Sequence, residues 1–337
     1  MNNEYFSDDF FESNSDDIFN EESVEIKEDN GKKVAMSILD NYSDELTAKT
    51  YVTNPAISRE EELKNMILIL LSPEKSVVLT GPAGVGKTSL VEGLALLIQQ
   101  NRVPNVLQNY KIYKINTSSL LGNYEHDGIV ESKLQLLINE VIDRKNTILF
   151  IDEVHTLVTA ARNGGGVDFL NMLKPCLDRG DLKIIGATTT KEYEEFLLKD
   201  KAFIRRFEKV ELPEPDEATT VKIVMGTKKK IELSTGVIFP YSDYLLEQIA
   251  KFIVSITSKY KRRAETGSNY PDIALALFSS CFTFARFENA KEVNFKYIYE
   301  AIKNTRLIYP DVVAKALPEF KETFKEWIEK EGTVLED

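Results

Sequence analysis

The chain has no apolar run long enough to span a bilayer, and its amino terminus lacks the basic-then-apolar layout of a secretory signal. No membrane partner is therefore expected. Its two cysteines, Cys176 and Cys281, are far apart and in no metal-ligand spacing. That excludes a disulfide scaffold and reads as two reduced core thiols, so a cytoplasmic compartment is expected, of a cell or of an infected host. The two histidines, His126 and His155, are assigned to loop and packing roles rather than to metal. No internal repeat is visible. Bulk basic charge is also missing: 42 Lys and Arg face 54 Asp and Glu, for a net charge of −12.

That acidity is local. Residues 1–30 hold eleven acids against one Lys, and the remainder is nearly neutral. The body thus lacks a field to attract nucleic acid, and nucleic-acid binding is not expected. With 337 residues, 43% hydrophobic and 28% charged, the chain is of ordinary globular composition and long enough for about two domains. Residues 1–32 are rich in Asp, Glu, Ser and Asn and read as a disordered acidic tail. Tyr5, Phe6, Phe10, Phe11 and Phe19 are interleaved with the acids. Either the tail docks aromatics into a partner's groove, or it serves solubility alone.

What the chain does have is concentrated at residues 76–89. Val77, Val78 and Leu79 read as a buried strand, and Gly81 to Thr88 fits G-x-x-x-x-G-K-[ST] before a helix opens at Ser89. Strand, loop and helix in this order are what a phosphate-binding loop requires. Glycines at 81, 84 and 86, with Pro82, Ala83 and Val85 between them, let backbone N–H groups turn around an anion. Lys87 is placed to reach the β- and γ-phosphates of ATP, and the Thr88 hydroxyl to bind Mg²⁺.

A second strand, Ile148 to Ile151, ends in Asp152 and Glu153. An acid at the carboxyl end of such a strand faces the ligand crevice of an open α/β sheet. Asp152 suits Mg²⁺ binding, and Glu153 suits the deprotonation of the attacking water. The next strand, from Lys183, closes on Thr188 and Thr189. A hydroxyl there can bond the γ-phosphate or the water, although a strand-end threonine also satisfies backbone. Arg205 and Arg206 read either as a solvated helix end or as arginine fingers. Lying beyond the sheet's edge, fingers would reach a neighbouring subunit's site, which predicts a ring.

Around these motifs, strands alternate with helices up to Leu212, which argues for a parallel sheet with helices on both faces. Lys33 to Thr47 is expected to contain a helix, and Ser58 followed by Glu61 fits a capping box for the helix after it. Tyr124 falls in a loop with Gly122 and Gly128. After Pro213-Glu214-Pro215, residues 216–232, 242–257, 271–288 and 294–307 read as helices of a small separate domain. An amphipathic helix carries Phe320, Phe324, Trp327 and Ile328.

The order GPAGVGKT, ILFIDEVHTL, LNMLKPCLDRGDLKIIGATTTKEY and KDKAFIRRFEKVELPEP resembles the first AAA+ module of the Clp unfoldases such as ClpA and ClpB. The resemblance covers about residues 38–308. It implies an α/β P-loop AAA+ fold with a five-stranded parallel sheet ordered 5-1-4-3-2 and a helical lid. The implied segments are an acidic tail at 1–32, a linker helix at 33–53, the nucleotide-binding domain at 54–213, the lid at 214–308 and a helical extension at 309–337. By resemblance Lys87 and Thr88, with Ser89 beside them, match Walker A, Asp152 and Glu153 match Walker B, and Thr189 matches the first sensor. Arg205 and Arg206 match fingers acting in trans, Ile57 lies against the adenine, and Tyr124 is a pore-loop residue gripping polypeptide. The loop around Asn163 to Gly166 is then the second pore loop.

Some positions depart from the family. Ser58 replaces a glycine, Ile273 replaces the lid lysine after Pro271-Asp272, and the segment around Tyr124 is longer and acidic. The expected function is that of a single-ring, Mg-dependent ATPase, hexameric by resemblance, that unfolds or remodels protein substrates. The alternatives are a nucleic-acid-associated loader, which would want basic tracts, and a regulatory scaffold working through the acidic-aromatic tail.

Overall fold

The computed structural model describes residues 37–117, 123–126, 129–162, 169–180, 182–263, 265, 267 and 269–335. The acidic tail, Gly122, Gly128 and the loop at 163–166 lie outside the described residues. Residues 38–337 cluster as one compact unit.

Its frame is a six-stranded sheet. In chain order the strands are β1 (Ser43–Glu45), β2 (Ser76–Thr80), β3 (Lys111–Ile115), β6 (Thr147–Ile151), β7 (Lys183–Thr188) and β8 (Phe207–Glu211). They are arranged β1-β3-β6-β7-β2-β8. The five strands from β3 to β8 pair in parallel and follow the expected 5-1-4-3-2 order. The addition is β1, which pairs antiparallel with β3, Asp44 opposite Lys114. The helix expected within 33–47 is correspondingly short: α1 covers only Ile38–Tyr42 before the chain extends into β1.

Strand periodicity divides the core. Val77 and Leu79 of β2 face one apolar cluster, with Leu63, Met66 and Leu70 of α2 (Glu60–Leu71) and Leu90, Leu94 and Ile98 of α3 (Lys87–Gln99). Val78 faces the opposite cluster, built on α4 (Lys133–Arg144), α5 (His155–Arg162), α6 (Phe169–Arg179) and α7 (Lys201–Arg206). Strands buried on both faces read as continuous apolar runs, as TILFI and SVVLT do.

The capping box expected at Ser58 does not form. Ser58 takes a left-handed φ of 56°, Arg59 becomes the N-cap, and α2 begins at Glu60. Glu61 is therefore one position too early to reach back, and Arg59 instead pairs with Glu62 at 2.7 Å. Tyr124 is likewise not in a loop. It lies on β4 (Asn123–His126), paired antiparallel with β5 (Ile129–Ser132) in a separate hairpin.

The helices beyond Pro215 are α8 (Glu217–Thr235), α9 (Asp243–Ile256), α10 (Asp272–Phe287), α11 (Phe295–Asn304), α12 (Pro310–Thr323) and α13 (Lys325–Glu331). Side chains of Asp216, Ser242 and Asn294 cap α8, α9 and α11, each accepting a backbone N–H three residues on. These helices share one apolar core, into which α12 and the turn after it insert the fully buried Phe320 and Phe324. The last amphipathic stretch is thus two helices meeting at Phe324.

Candidate functional site

The loop between β2 and α3 carries the glycine-rich motif to the carboxyl edge of the sheet. Gly86 caps α3 with a left-handed φ of 99°, and among the described residues no side chain caps this helix end. Its first N–H groups are thereby left for an anion. Gly84 has φ +74°, and a β-carbon there would lie 2.5 Å from Cβ of Asp272. Only glycine lets the first turn of α10 sit this close to the phosphate loop. Asn269 adds a bond from its side-chain amide to the Ala83 carbonyl, 3.3 Å.

Lys87 donates to the carbonyls of Gly81 (3.0 Å) and Pro82 (2.9 Å). Burial pushes its ammonium below the ordinary lysine value, against the opposing pull of Asp152, Glu192 and Glu153. Those three carboxylates make a negative frame that holds the charge on Lys87.

Asp152 and Glu153 follow β6 directly. Thr88 donates its hydroxyl to Oδ2 of Asp152 at 3.0 Å, so the two expected metal-binding oxygens converge from loop and strand. A hydroxyl beside a carboxylate is a hard-oxygen donor set that fits Mg²⁺, whose other positions waters and phosphates usually fill. Among the described residues there is no cluster of three or more His, Cys, Asp or Glu able to hold a metal. Glu153 takes a left-handed φ of 53°, turning the chain from β6 into α5. Val154 then packs on Gly186 and donates its N–H to the Ala187 carbonyl at 3.0 Å. The strand-to-helix turn leaves both acids lining a polar cleft with Lys114, Asn116 and Asp44.

Thr189 stands at the end of β7, where its hydroxyl accepts the Glu192 N–H and Glu192 Oε2 accepts the Thr189 N–H. The same Oε2 accepts the Thr188 hydroxyl at 3.0 Å and lies 3.3 Å from Nδ1 of His155. Burial raises the Glu192 carboxyl, but the Thr189 and Thr188 hydrogen bonds outweigh it and leave it below its ordinary range. His155, read from sequence as packing, ties α5 to the end of β7 through a 3.1 Å contact with the Thr188 hydroxyl. Glu192 was missed, although Thr189-x-x-Glu192 is a legible capping box.

Ile57 lines a cavity of about 290 Å³ with Val85, Gly86, Ile223, Thr227 and Leu275. This cavity abuts the start of α3 and joins the segment before α2 to the helices beyond Pro215. Arg59, which also lines this cavity and is nearly buried, bonds the Val85 carbonyl at 3.3 Å and the Pro213 carbonyl at 3.0 Å. Glu214 accepts from Arg262 at 2.7 Å and from the Tyr270 N–H at 2.9 Å, tying the segment after β8 to the approach to α10.

Arg205 and Arg206 end α7 at the margin of the sheet, before the edge strand β8. Arg205 is exposed, and its carbonyl accepts from Lys75 at 3.0 Å. Tyr124 lies on the β4–β5 hairpin. The structure therefore gathers Ile57, the 81–89 loop, Asp152, Glu153 and Thr189 into one region and leaves the two arginines at the margin. Lys114 and Arg59 join Glu192 as residues that sequence reading missed. The sign of Lys114 was a charge on the α3 face of β3, where the strand's alternation asks for an apolar residue.

Residues 77–213 match the family described as "ATPase family associated with various cellular activities (AAA)". The chain is 40% identical over 245 residues to the ATP-dependent Clp protease ATP-binding subunit ClpE of Bacillus subtilis, covering 71% of this chain and 34% of ClpE. It is 44% identical over 180 residues to the chaperone protein ClpB of Aquifex aeolicus, covering 53% of this chain and 18% of ClpB. Among solved structures it resembles the S. cerevisiae Hsp104-ADP complex, with a TM-score of 0.66 and 30% identity over 87% of this chain and 49% of that one. An Hsp104:casein complex from the same yeast matches with a TM-score of 0.64 and 31% identity, covering 79% of this chain and 45% of that one. The chain spans about a third or less of the length of the curated relatives it matches.

Proposed function

We propose, from a chain whose residues 77–213 form an AAA ATPase domain of the Clp type, that this protein hydrolyses ATP to unfold or remodel other proteins. The observation that carries the reading is the 3.0 Å approach of Thr88 to Asp152, with Glu153 next in the chain at the mouth of the cleft. Base and ribose enter the cavity beside Ile57, and the α3 amino terminus and Lys87 receive the phosphates. Thr88 and Asp152 would hold Mg²⁺, which would supply neutralisation of the phosphate charge. Glu153 takes the proton from the attacking water, and Thr189, oriented by Glu192, bonds the γ-phosphate or that water. Arg205 and Arg206 complete the site of a neighbouring copy in a ring of about six, as the Clp resemblance implies. An aromatic on the Tyr124 hairpin grips polypeptide without sequence preference. The Hsp104:casein neighbour supports a protein substrate for this chain.

The test pairs wild type with Glu153→Gln in ATP and Mg²⁺. Wild type is expected to release phosphate. The variant is expected to hold ATP without turnover and to retain a permanently unfolded polypeptide. Hydrolysis unchanged in Glu153→Gln removes the base assignment. Capture of DNA instead of polypeptide would favour a loader.

A further inference from the structure

Asp152 has a second cationic partner besides any metal. Nζ of Lys114 lies 3.2 Å from Asp152 Oδ2, the same oxygen that accepts the Thr88 hydroxyl at 3.0 Å. Lys114 reaches it from β3. Its register partner on β6 is Phe150, whose ring centroid is 5.7 Å from the ammonium, and Asp152 is two residues further on. On its other side Lys114 is paired with Asp44 of β1, but Asp44 is engaged by Lys49 at 3.8 Å. The Lys114 side chain is about one-third exposed, so its ammonium can leave toward the cleft without unpacking the strand.

We propose that Lys114 is a resident counter-cation of Asp152 that Mg²⁺ must displace, which raises the free Mg²⁺ needed to load this site. The inference rests on the ATP reading of the same site. Mg²⁺ demands near-octahedral geometry at about 2.0–2.1 Å from its oxygens. Both lone pairs of Asp152 Oδ2 are engaged, by a hydroxyl and an ammonium, so a metal that takes this oxygen displaces one of them. The displaced ammonium then remains at the cleft among Asp44 and Glu153, close enough to return when the metal leaves. Nucleotide loading thus becomes a competition between a tethered monovalent charge and a free divalent one, and the outcome depends on Mg²⁺ concentration.

The experiment titrates Mg²⁺ into full-length protein with a fluorescent ATP analogue, all variants in a Glu153→Gln background so that nothing turns over. Manganese electron paramagnetic resonance follows metal occupancy directly. Lys114→Met is expected to lower the half-saturating Mg²⁺ about three- to five-fold, the upper part of the range for a partly exposed ion pair. Lys114→Arg is expected to stay near wild type. Lys114→Ser, whose short polar side chain is tolerated in a cleft, is read the same way if the Met variant loses its melting transition. Half-saturation unchanged or raised in Lys114→Met or Lys114→Ser overturns the role of Lys114 alone. Analogue binding that ignores Mg²⁺ in the Lys114-containing protein overturns the ATP–Mg²⁺ reading together with it.

Discussion

Gly93, in the middle of α3, gives the most quantitative test of how the cavity beside Ile57 is held. Propensity alone favours Gly93→Ala by about 1 kcal/mol in a helix interior. The structure opposes it, since a β-carbon there would lie 2.4 Å from Cβ of Ala56 and 3.5 Å from its N and Cα. Carbon contacts relax at about 3.5–4.0 Å, so helix and segment must part by roughly 1 Å. Overpacking of this kind costs about 1–3 kcal/mol, leaving a net loss of about 0–2 kcal/mol. Stability alone is therefore a weak readout. The stronger one is affinity, because Ala56 adjoins Ile57 and is pinned by a 3.0 Å bond from its N–H to Asn54. Moving this segment shifts Ile57 in the wall of the cavity, and losing about 1.4 kcal/mol of contact with the base weakens binding about ten-fold. Fluorescent-nucleotide titration and thermal melting of Gly93→Ala measure both. The double variant Gly93→Ala/Ala56→Gly removes the opposing methyl and should recover affinity. A Gly93→Ala protein that gains the full helix-propensity stability and binds nucleotide as tightly as wild type refutes the close-approach argument.

Arg205→Ala should abolish hydrolysis when every subunit carries it. Mixing it with Lys87→Ala subunits should restore some phosphate release, and no rescue counts against action in trans. Tyr124→Ala should spare basal ATPase while stopping the unfolding of a fluorescent substrate protein; equal unfolding would sink the grip assigned to the hairpin. Glu192 is held below its ordinary carboxylate value, so its network contributes above that value and loses its contribution as pH falls through the depressed one. Urea unfolding should therefore show Glu192→Gln less stable than wild type at neutral pH, with the gap closing on acidification. A gap that is constant with pH would refute the coupling.

Reading from sequence agrees with the structure where a feature is local. A glycine-rich turn between a strand and a helix, or an acid at the end of an apolar strand, is dictated by backbone geometry within a few residues. The expected parallel order of β3 to β8 came through the family resemblance and agrees with the pairing. Reading failed where two local rules competed. Ser58 carried a capping signal, but its left-handed φ moved the helix start past it. The segment around Tyr124 carried glycines suggestive of a loop, yet its backbone pairs as a hairpin.

By itself, then, the amino-acid order determined the phosphate loop, the acidic strand tip and the alternation that buries the sheet on both faces, because each follows from torsions and spacing along one stretch. Only the tertiary structure decided that Arg59 bridges to Pro213, 154 residues away, that Gly84 receives Asp272, and that Lys114 reaches Asp152. Such contacts depend on which strands become neighbours and how closely helices approach, and nothing in the spacing of residues along one chain encodes a distance across a sheet.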